Sequence, residues 1–157
     1  MDYSRAAFFA CMWRVPVAGA NREEIFDVSA EQFYNALLDY ENYAEILGEV
    51  DEIDILEFSE EGAKIQYSVN VVKKFSYTLK MTHERPNLVA WELDSGSLFK
   101  KNSGRWEIED LGDNKCKVVY NLDVALKVFA PKAITNKLVA VSLPRMMKTF
   151  YEHAKGL

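Results

Sequence analysis

Two histidines are the side chains of this sequence best suited to general acid–base chemistry, and neither has a recognisable partner. His83 stands at the predicted end of a strand beside Glu84 and Arg85, and His153 falls in the last turn of the predicted C-terminal helix. A histidine near a helix C terminus is stabilised by the helix dipole without any catalytic role, whereas a general base needs a positioned partner and a pocket. We interpret both histidines as structural and assign no catalytic residue.

The sequence contains no motif of several other common catalytic and binding chemistries. The GxSxG motif of serine hydrolases, the P-loop of nucleotide-binding proteins and the spacing of histidine–cysteine metal sites are absent. The two cysteines, Cys11 and Cys116, form no CxxC pair, which is typical of a protein from a reducing compartment. We therefore predict no metal, no cofactor and a cytoplasmic location.

Charge is unevenly distributed along the 157 residues, of which 49% are apolar and 27% charged, as in a globular domain. The net charge is −5, yet residues 23–61 hold fourteen Asp and Glu and no Lys or Arg, while residues 62–157 hold sixteen Lys and Arg against nine acids. We expect one acidic end and one basic end. Because the whole chain is acidic, we do not favour nucleic acid or the ribosome as a partner.

Several stretches after Gly48 alternate between apolar and polar residues with a period of two, which is typical of half-buried strands. Their predicted inward faces are rich in Tyr, Trp and Met, which suit a cavity for an apolar ligand that carries a few oxygen atoms. A fully packed core is the alternative, and the residues alone leave both open. The candidate cavity residues, including those of the last helix, are Tyr67, Val69, Tyr77, Leu79, Met81, Trp91, Trp106, Tyr120, Leu122, Val139, Leu143, Met146 and Met147.

Helical patterns flank these strands. A first strand at Glu24–Val28 is followed by a capping-box pattern at Ser29 and Gln32, a short helix, a break and a second short helix. The chain closes with a long amphipathic helix over residues 131–154, in which we expect a kink at Pro144. The predicted class is α+β, with two short helices after the first strand and a curved antiparallel sheet of about seven strands around the long helix.

Local sequence features resemble those of a known superfamily. The strand-to-helix junction Val28–Tyr34, the helix break Asp39–Tyr43, and Leu98–Lys101 followed by Gly104–Trp106 are similar to segments of the START, polyketide-cyclase and birch-pollen-allergen (SRPBCC) superfamily. The resemblance covers residues 22–155 and is closest to the bacterial coenzyme Q-binding and ribosome-association-toxin-like branch. It implies a helix-grip fold. We predict a single helix-grip domain at 22–157 and an N-terminal extension at 1–21.

The resemblance also implies a deep apolar cavity between the sheet and the long helix. It favours lipid binding, that is, binding and transfer, or chaperoning, of a hydrophobic small molecule such as a prenylated quinone. A ribosome- or protein-binding module is the alternative that the toxin-like branch suggests, and a polyketide cyclase or dehydratase is a weaker one. Aromatase and cyclase members rely on an arginine in the cavity, whereas alternation places Arg105 on the face opposite Trp106. The position of Arg105 argues against a cyclase and favours a protein that is not an enzyme.

Three turns, at residues 71–75, 98–101 and 127–132, combine apolar and basic residues. Turns after alternate strands of an antiparallel sheet lie at one end, so we expect these turns to cluster beside the start of the long helix. Exposed lysines are ordinary in turns, but together with aromatic side chains they would suit peripheral contact with an anionic membrane. The candidate rim residues are Lys73, Lys74, Phe99, Lys100, Lys101, Phe129 and Lys132.

Overall fold

A seven-stranded antiparallel sheet dominates the computed structural model of the protein, which describes residues 17–48, 50–70, 74–127 and 142–157. Its strand order is β1-β7-β6-β5-β4-β3-β2, so β1 and β2 form the two edges. This is the predicted α+β helix-grip fold. The elements are β1 (Val17–Phe26), α1 (Ala30–Leu38), a 3-10 turn (Tyr40–Asn42), α2 (Tyr43–Ile46), β2 (Val50–Phe58), β3 (Gly62–Asn70), β4 (Lys74–Glu84), β5 (Leu88–Gly96), β6 (Phe99–Gly112), β7 (Lys115–Leu126) and α3 (Ser142–Lys155).

The predicted capping box fixes the start of α1. The Ser29 hydroxyl accepts a hydrogen bond from the Gln32 backbone N–H at 3.1 Å, and the Gln32 side-chain oxygen accepts one from the Ser29 N–H at 3.1 Å. Two backbone donors that the first turn would leave unpaired are thereby satisfied. The helix starts at a defined residue, which directs its apolar face towards the sheet.

One face of the sheet is buried beneath the helices. Alternate residues of β3 from Ala63 to Val69 are buried, and the residues between them are partly exposed. Phe33 of α1 and Phe150 of α3 both pack against Trp106 of β6, with ring centroids 5.8 and 5.6 Å apart. The two helices therefore meet over the middle of the sheet, and the core lies between them and β6.

The first two strands differ from the prediction. β1 begins at Val17 and pairs with β7 along its whole length, so the boundary predicted at residue 21 falls inside a strand. The sequence of residues 17–20 shows no alternation that predicts a strand, yet these residues pair with β7. In β2 the register shifts twice, after Val50 and after Ile55, so that Val50, Ile53, Ile55 and Phe58 all stand opposite buried residues of β3. Most of the strand is nevertheless exposed, because it forms an edge of the sheet.

The described part of α3 begins at Ser142 and runs to Lys155. The predicted start of this helix at Pro131 lies outside the described residues, so the kink expected at Pro144 remains a prediction. Among the described helices, none combines the length and the apolar character that a membrane crossing requires.

Candidate functional site

A cavity of about 230 Å³ lies between the buried face of the sheet, α2 and α3. Most of its described walls are apolar or aromatic, and the polar groups are tyrosine hydroxyls, one asparagine, one arginine and one threonine. The candidate residues that line it are Tyr67, Val69, Tyr77, Leu79, Met81, Trp91, Trp106, Tyr120, Leu122 and Met146.

The remaining candidates divide into two groups. Met147 has no exposed surface and belongs to the hydrophobic core, so its prediction as a cavity residue is wrong. It follows Met146 directly, and consecutive residues on a helix point about 100° apart, so only one of the two faces the cavity. Val139 lies outside the described residues, as does the side chain of Leu143.

Sequence reasoning missed several lining residues. Asn102 is only 6% exposed and lines the cavity beside Trp91. It is four residues before Trp106 on β6, so the alternation that identified Trp106 also points to Asn102, and only its polarity argued against it. The other lining residues that we had not predicted are Tyr43, Ile46, Leu47, Gly48, Val50, Leu98, Phe99, Val124, Arg145, Thr149 and Phe150.

Phe99 corrects the predicted membrane rim. The sequence placed it in an exposed turn, but β6 begins at this residue and its side chain is 4% exposed against the cavity. Its ring meets Tyr77 edge to face, with centroids 4.9 Å apart. Strand pairing extends further into the β5–β6 connection than the glycine and serines there suggested. Phe99 is therefore a wall of the cavity, and it has no free face for a membrane.

The other rim residues keep their predicted character where the structure describes them. Lys74, Lys100 and Lys101 are exposed, and Lys101 forms an ion pair with Asp123. The end of β7 reaches the β5–β6 turn through a hydrogen bond from the Lys127 N–H to the Leu98 carbonyl at 2.9 Å. Two of the three predicted turns thus lie together. The remaining rim residues, Lys73, Phe129 and Lys132, lie outside the described residues.

Aromatic rings from five strands line the cavity in two groups. Tyr67 of β3 stacks on Tyr77 of β4, with centroids 5.3 Å apart and planes 10° from parallel. On the other side Tyr120 of β7 packs edge to face on Trp106, at 4.5 Å, and lies 5.6 Å from Trp91. Rings held in such contacts keep their orientation without a ligand, so the walls are largely preformed.

One hydrogen bond inside the cavity sets the orientation of an amide. The Trp91 indole N–H donates to the Asn102 side-chain oxygen at 3.0 Å. An indole nitrogen can only donate, so the oxygen of Asn102 must face Trp91. The NH₂ group of Asn102 is left as a donor, and it has no protein acceptor in the described part of the chain.

Three tyrosine hydroxyls at the cavity wall also lack a hydrogen-bond partner among the described residues. Burial raises the pKa of Tyr67, Tyr77 and Tyr120, so each hydroxyl stays neutral and keeps its proton. Among the described residues, none of the three makes a hydrogen bond. Tyr43 differs, because its hydroxyl donates to the Leu37 carbonyl. The cavity therefore holds at least four donor groups that a ligand could satisfy.

The positively charged side chain at the cavity comes from a helix. Arg105 lies on the opposite face of β6, exposed and 3.0 Å from Glu107, as the alternation predicted. Arg145 of α3 lines the cavity instead and is exposed. Within the described lining there is no Asp, Glu, His or Lys, so the walls offer no obvious general base.

Both histidines lie outside the cavity and have structural partners. His83 is buried, and one ring nitrogen lies 2.8 Å from the Tyr40 hydroxyl while the other lies 3.3 Å from the Ser59 carbonyl. A carbonyl only accepts, so the proton sits on the nitrogen that faces Ser59, and Tyr40 donates to the other. Burial lowers the pKa of His83, which favours this neutral form. His153 lies 2.7 Å from Asp39.

Residues 26–150 match the model of the family described as polyketide cyclase / dehydrase and lipid transport. The chain belongs to this family. No curated protein matches the chain significantly. Family membership and fold together support a helix-grip domain of a type that binds hydrophobic ligands.

Solved structures show the same fold at low sequence identity. A START superfamily protein from Mycobacterium smegmatis is 20% identical, with a TM-score of 0.75 over 88% of this chain and 97% of that one. The Zhui aromatase/cyclase from Streptomyces sp. R1128 is 15% identical, with a TM-score of 0.71 over 89% and 92%. Human STARD10 is 18% identical, with a TM-score of 0.70 over 90% and 69%.

Proposed function

We propose that the protein binds a hydrophobic small molecule in its cavity and carries or chaperones it without changing it chemically. The observation that carries the proposal is an apolar, aromatic wall with hydrogen-bond donors that have no protein acceptor in the described structure. An apolar pocket with a few convergent polar groups is the usual form of a small-molecule site. The donors are the Asn102 amide and the hydroxyls of Tyr67, Tyr77 and Tyr120.

The chemistry of these donors favours a ligand with acceptor oxygens and no need to donate. A quinone fits this description, because its ring is flat and apolar and its carbonyl oxygens only accept. The cavity of about 230 Å³ exceeds the roughly 150 Å³ cavity that holds benzene, so a substituted ring can be enclosed. A long prenyl tail would extend beyond this volume. We therefore favour a prenylated quinone whose ring occupies the cavity, with other ring-bearing lipids as the wider class.

A polyketide cyclase or dehydratase is the second candidate function. Arg145, which lines the same cavity as the tyrosines, favours it, since an arginine can stabilise an enolate or polarise a carbonyl group. The described walls lack a general base, which argues against it. Incubation with a linear poly-β-ketone thioester distinguishes the two candidates. Formation of a cyclised product that Arg145→Gln abolishes would favour the enzyme.

The binding proposal is tested first by asking whether a hydrophobic molecule copurifies with the protein. Protein purified under native conditions is extracted with organic solvent, and the extract is analysed by mass spectrometry. Equilibrium dialysis against a ubiquinone with one prenyl unit then gives the affinity. Repeated absence of lipid and quinone from the extract, together with no saturable binding, would overturn the proposal.

A matched pair of variants locates the binding. Leu122→Trp fills the cavity, and Leu111→Trp adds the same side chain at an exposed position of β6. We expect Leu122→Trp to weaken quinone binding at least tenfold and Leu111→Trp to leave it within twofold. Equal affinities in two folded variants would place the ligand outside the cavity. Thermal melting of both variants checks that they are folded.

A further inference from the structure

The edge strand β2 has features of a second binding site, independent of the cavity ligand. It ends the sheet order, so one side of its nine-residue backbone faces no other described strand. Such an edge presents unpaired N–H and C=O groups that can pair with another extended chain. The other edge strand, β1, carries a cationic side chain, Arg22, whereas β2 carries none.

Acidic side chains without ion pairs concentrate at β2. The described structure contains eight ion pairs, and their carboxylates belong to other elements. None of the carboxylates on β2 or on the turn after it forms an ion pair with a described residue. These carboxylates are Asp51, Glu52, Asp54, Glu57, Glu60 and Glu61.

Exposed apolar side chains lie on the same strand. Ile55, Leu56 and Phe58 are 38%, 51% and 56% exposed, and they make up half of the large apolar side chains that are exposed in the described structure. Phe58 packs against the rings of His83 and Tyr40, with centroids 5.9 and 6.4 Å away. More than half of its surface is nevertheless exposed. The second half of β2 therefore combines an open backbone with apolar surface.

The pairing of β2 with β3 shows how these side chains are arranged. Ile53 and Ile55 stand opposite the buried Tyr67 and Ile65, on the helix-covered face of the sheet. Asp54 stands between them, on the opposite face, across from Gln66. A strand added beside β2 would continue this alternation. Its side chains would meet apolar groups on one face and carboxylates on the other.

We propose that β2 binds an extended segment of a partner protein in which apolar residues alternate with Lys or Arg. The segment would add an eighth strand, with main-chain hydrogen bonds for affinity and alternate side chains for specificity. A second copy of β2 is disfavoured because like charges would stand opposite each other. Nucleic acids and anionic membranes are repelled by the same carboxylates.

Three synthetic peptides of equal length test the proposal on the whole chain. The first alternates Lys and Val, the second has the same composition with the lysines and valines in two blocks, and the third alternates Glu and Val. We expect the first to bind at least tenfold more tightly than the other two. Residues 50–58 should then gain protection from amide hydrogen exchange. Fluorescence anisotropy and hydrogen-exchange mass spectrometry provide the two measurements.

Charge reversal gives the matched control. Asp54→Lys removes one of the unpaired carboxylates of β2, whereas Glu23→Lys makes the same change on the opposite edge strand. We expect the first substitution to weaken binding of the Lys/Val peptide at least fivefold and the second to leave it within twofold. A third variant, Phe58→Ser, removes apolar surface at an exposed site and should weaken binding without changing the net charge.

Three results would overturn the proposal. Equal binding of the alternating and blocked peptides would mean that charge alone attracts them. Protection of residues other than 50–58 would place the segment elsewhere. Dimerisation that protects residues 50–58 in the absence of peptide, detected by analytical ultracentrifugation, would make a second copy the occupant of the edge.

Discussion

Asn102 has two roles at the residue scale, since it accepts the indole N–H of Trp91 and presents its own NH₂ group to the cavity. Asn102→Leu removes both. The half-buried indole N–H would then lack an acceptor, which costs about 1–3 kcal/mol of unfolding free energy. Quinone affinity should also fall, because one of the donors is gone. Urea unfolding measures the first effect and equilibrium dialysis the second.

A double-mutant cycle separates the two roles. Trp91→Phe removes the indole donor, so Asn102→Leu in that background should cost less than about 1 kcal/mol, since no partner is left unsatisfied. Quinone affinity should stay low in the double variant. If the double variant loses as much stability as the sum of the single variants, the hydrogen bond does not couple the two residues.

His83 links stability to pH. Burial lowers the pKa of His83 in the folded chain below its ordinary value of about 6.5. Between these two pKa values the unfolded chain binds a proton that the folded chain does not, so acidification favours unfolding. The contribution is complete above about pH 6.5 and is lost as pH falls towards the lower value of the folded state.

We expect His83→Gln to destabilise the protein more at pH 7.5 than at pH 5.5. The wild type loses the contribution of neutral His83 on acidification, and the variant has none to lose. Urea unfolding of both proteins at both pH values measures the difference. A gap in unfolding free energy that is the same at the two pH values would show that His83 does not titrate in this range.

At the scale of elements, a glycine allows β5 and β6 to hold Trp91 in place. A Cβ atom at Gly104 would clash with the backbone carbonyl oxygen of Asn121 on β7 and would lie 2.5 Å from the Trp91 ring atom Cζ2. Gly104→Ala should therefore strain the β6–β7 pairing as well as displace the indole, and cost about 1–3 kcal/mol, as overpacking does. It should also weaken quinone binding. Gly156→Ala is the control, because the added carbon there would meet only the His153 carbonyl oxygen, at 3.5 Å, and Gly156 does not line the cavity. Similar melting temperatures for the two variants would contradict this role.

Regular alternation made the sheet and most of the cavity predictable. In β3 every second residue is buried, and all the strand residues that we assigned to the cavity line it. Prediction was less complete at the edge of the sheet. Ile55 and Phe58 stand opposite the buried Ile65 and Ala63, on the face where the pattern placed them, yet both are exposed because β2 has no described strand on its other side. The order of strands in the sheet decides which strand forms the edge, and the sequence of β2 alone does not reveal it.

Errors in the predicted site have a similar origin. Phe99 looked like a turn residue because Ser95, Gly96 and Ser97 precede it, yet pairing with Leu126 makes it the first residue of β6. Met147 fits the apolar stripe of α3, but one stripe covers both the core and the cavity wall. A hydrophobic pattern shows that a residue is covered, and it does not show by what.

At the scale of the whole molecule, the basic turns and the acidic β2–β3 turn lie at opposite ends of the sheet. Lys74, Lys100 and Lys101 are exposed at or beside the β3–β4 and β5–β6 turns. Glu60 and Glu61 lie in the turn after β2, at the other end of the strands, whereas the start of β2 adjoins the β3–β4 turn. Such an asymmetry would orient the protein on an anionic surface, with the β2–β3 turn kept away from it. The burial of Phe99 removes one predicted aromatic anchor, so the electrostatic part of the contact must carry more of the binding.

We therefore expect weak, salt-sensitive docking on anionic membranes. Each lysine near such a surface contributes about 1 kcal/mol, so changing Lys74, Lys100 and Lys101 to Glu should lower membrane partitioning more than tenfold. The control changes Lys64, Lys80 and Lys115 to Glu, which alters the net charge equally at sites away from these turns. Flotation with vesicles that contain phosphatidylserine measures the partitioning, and neutral vesicles give the background. If both triple variants float to the same extent, net charge alone governs the contact and the turns are not a docking surface.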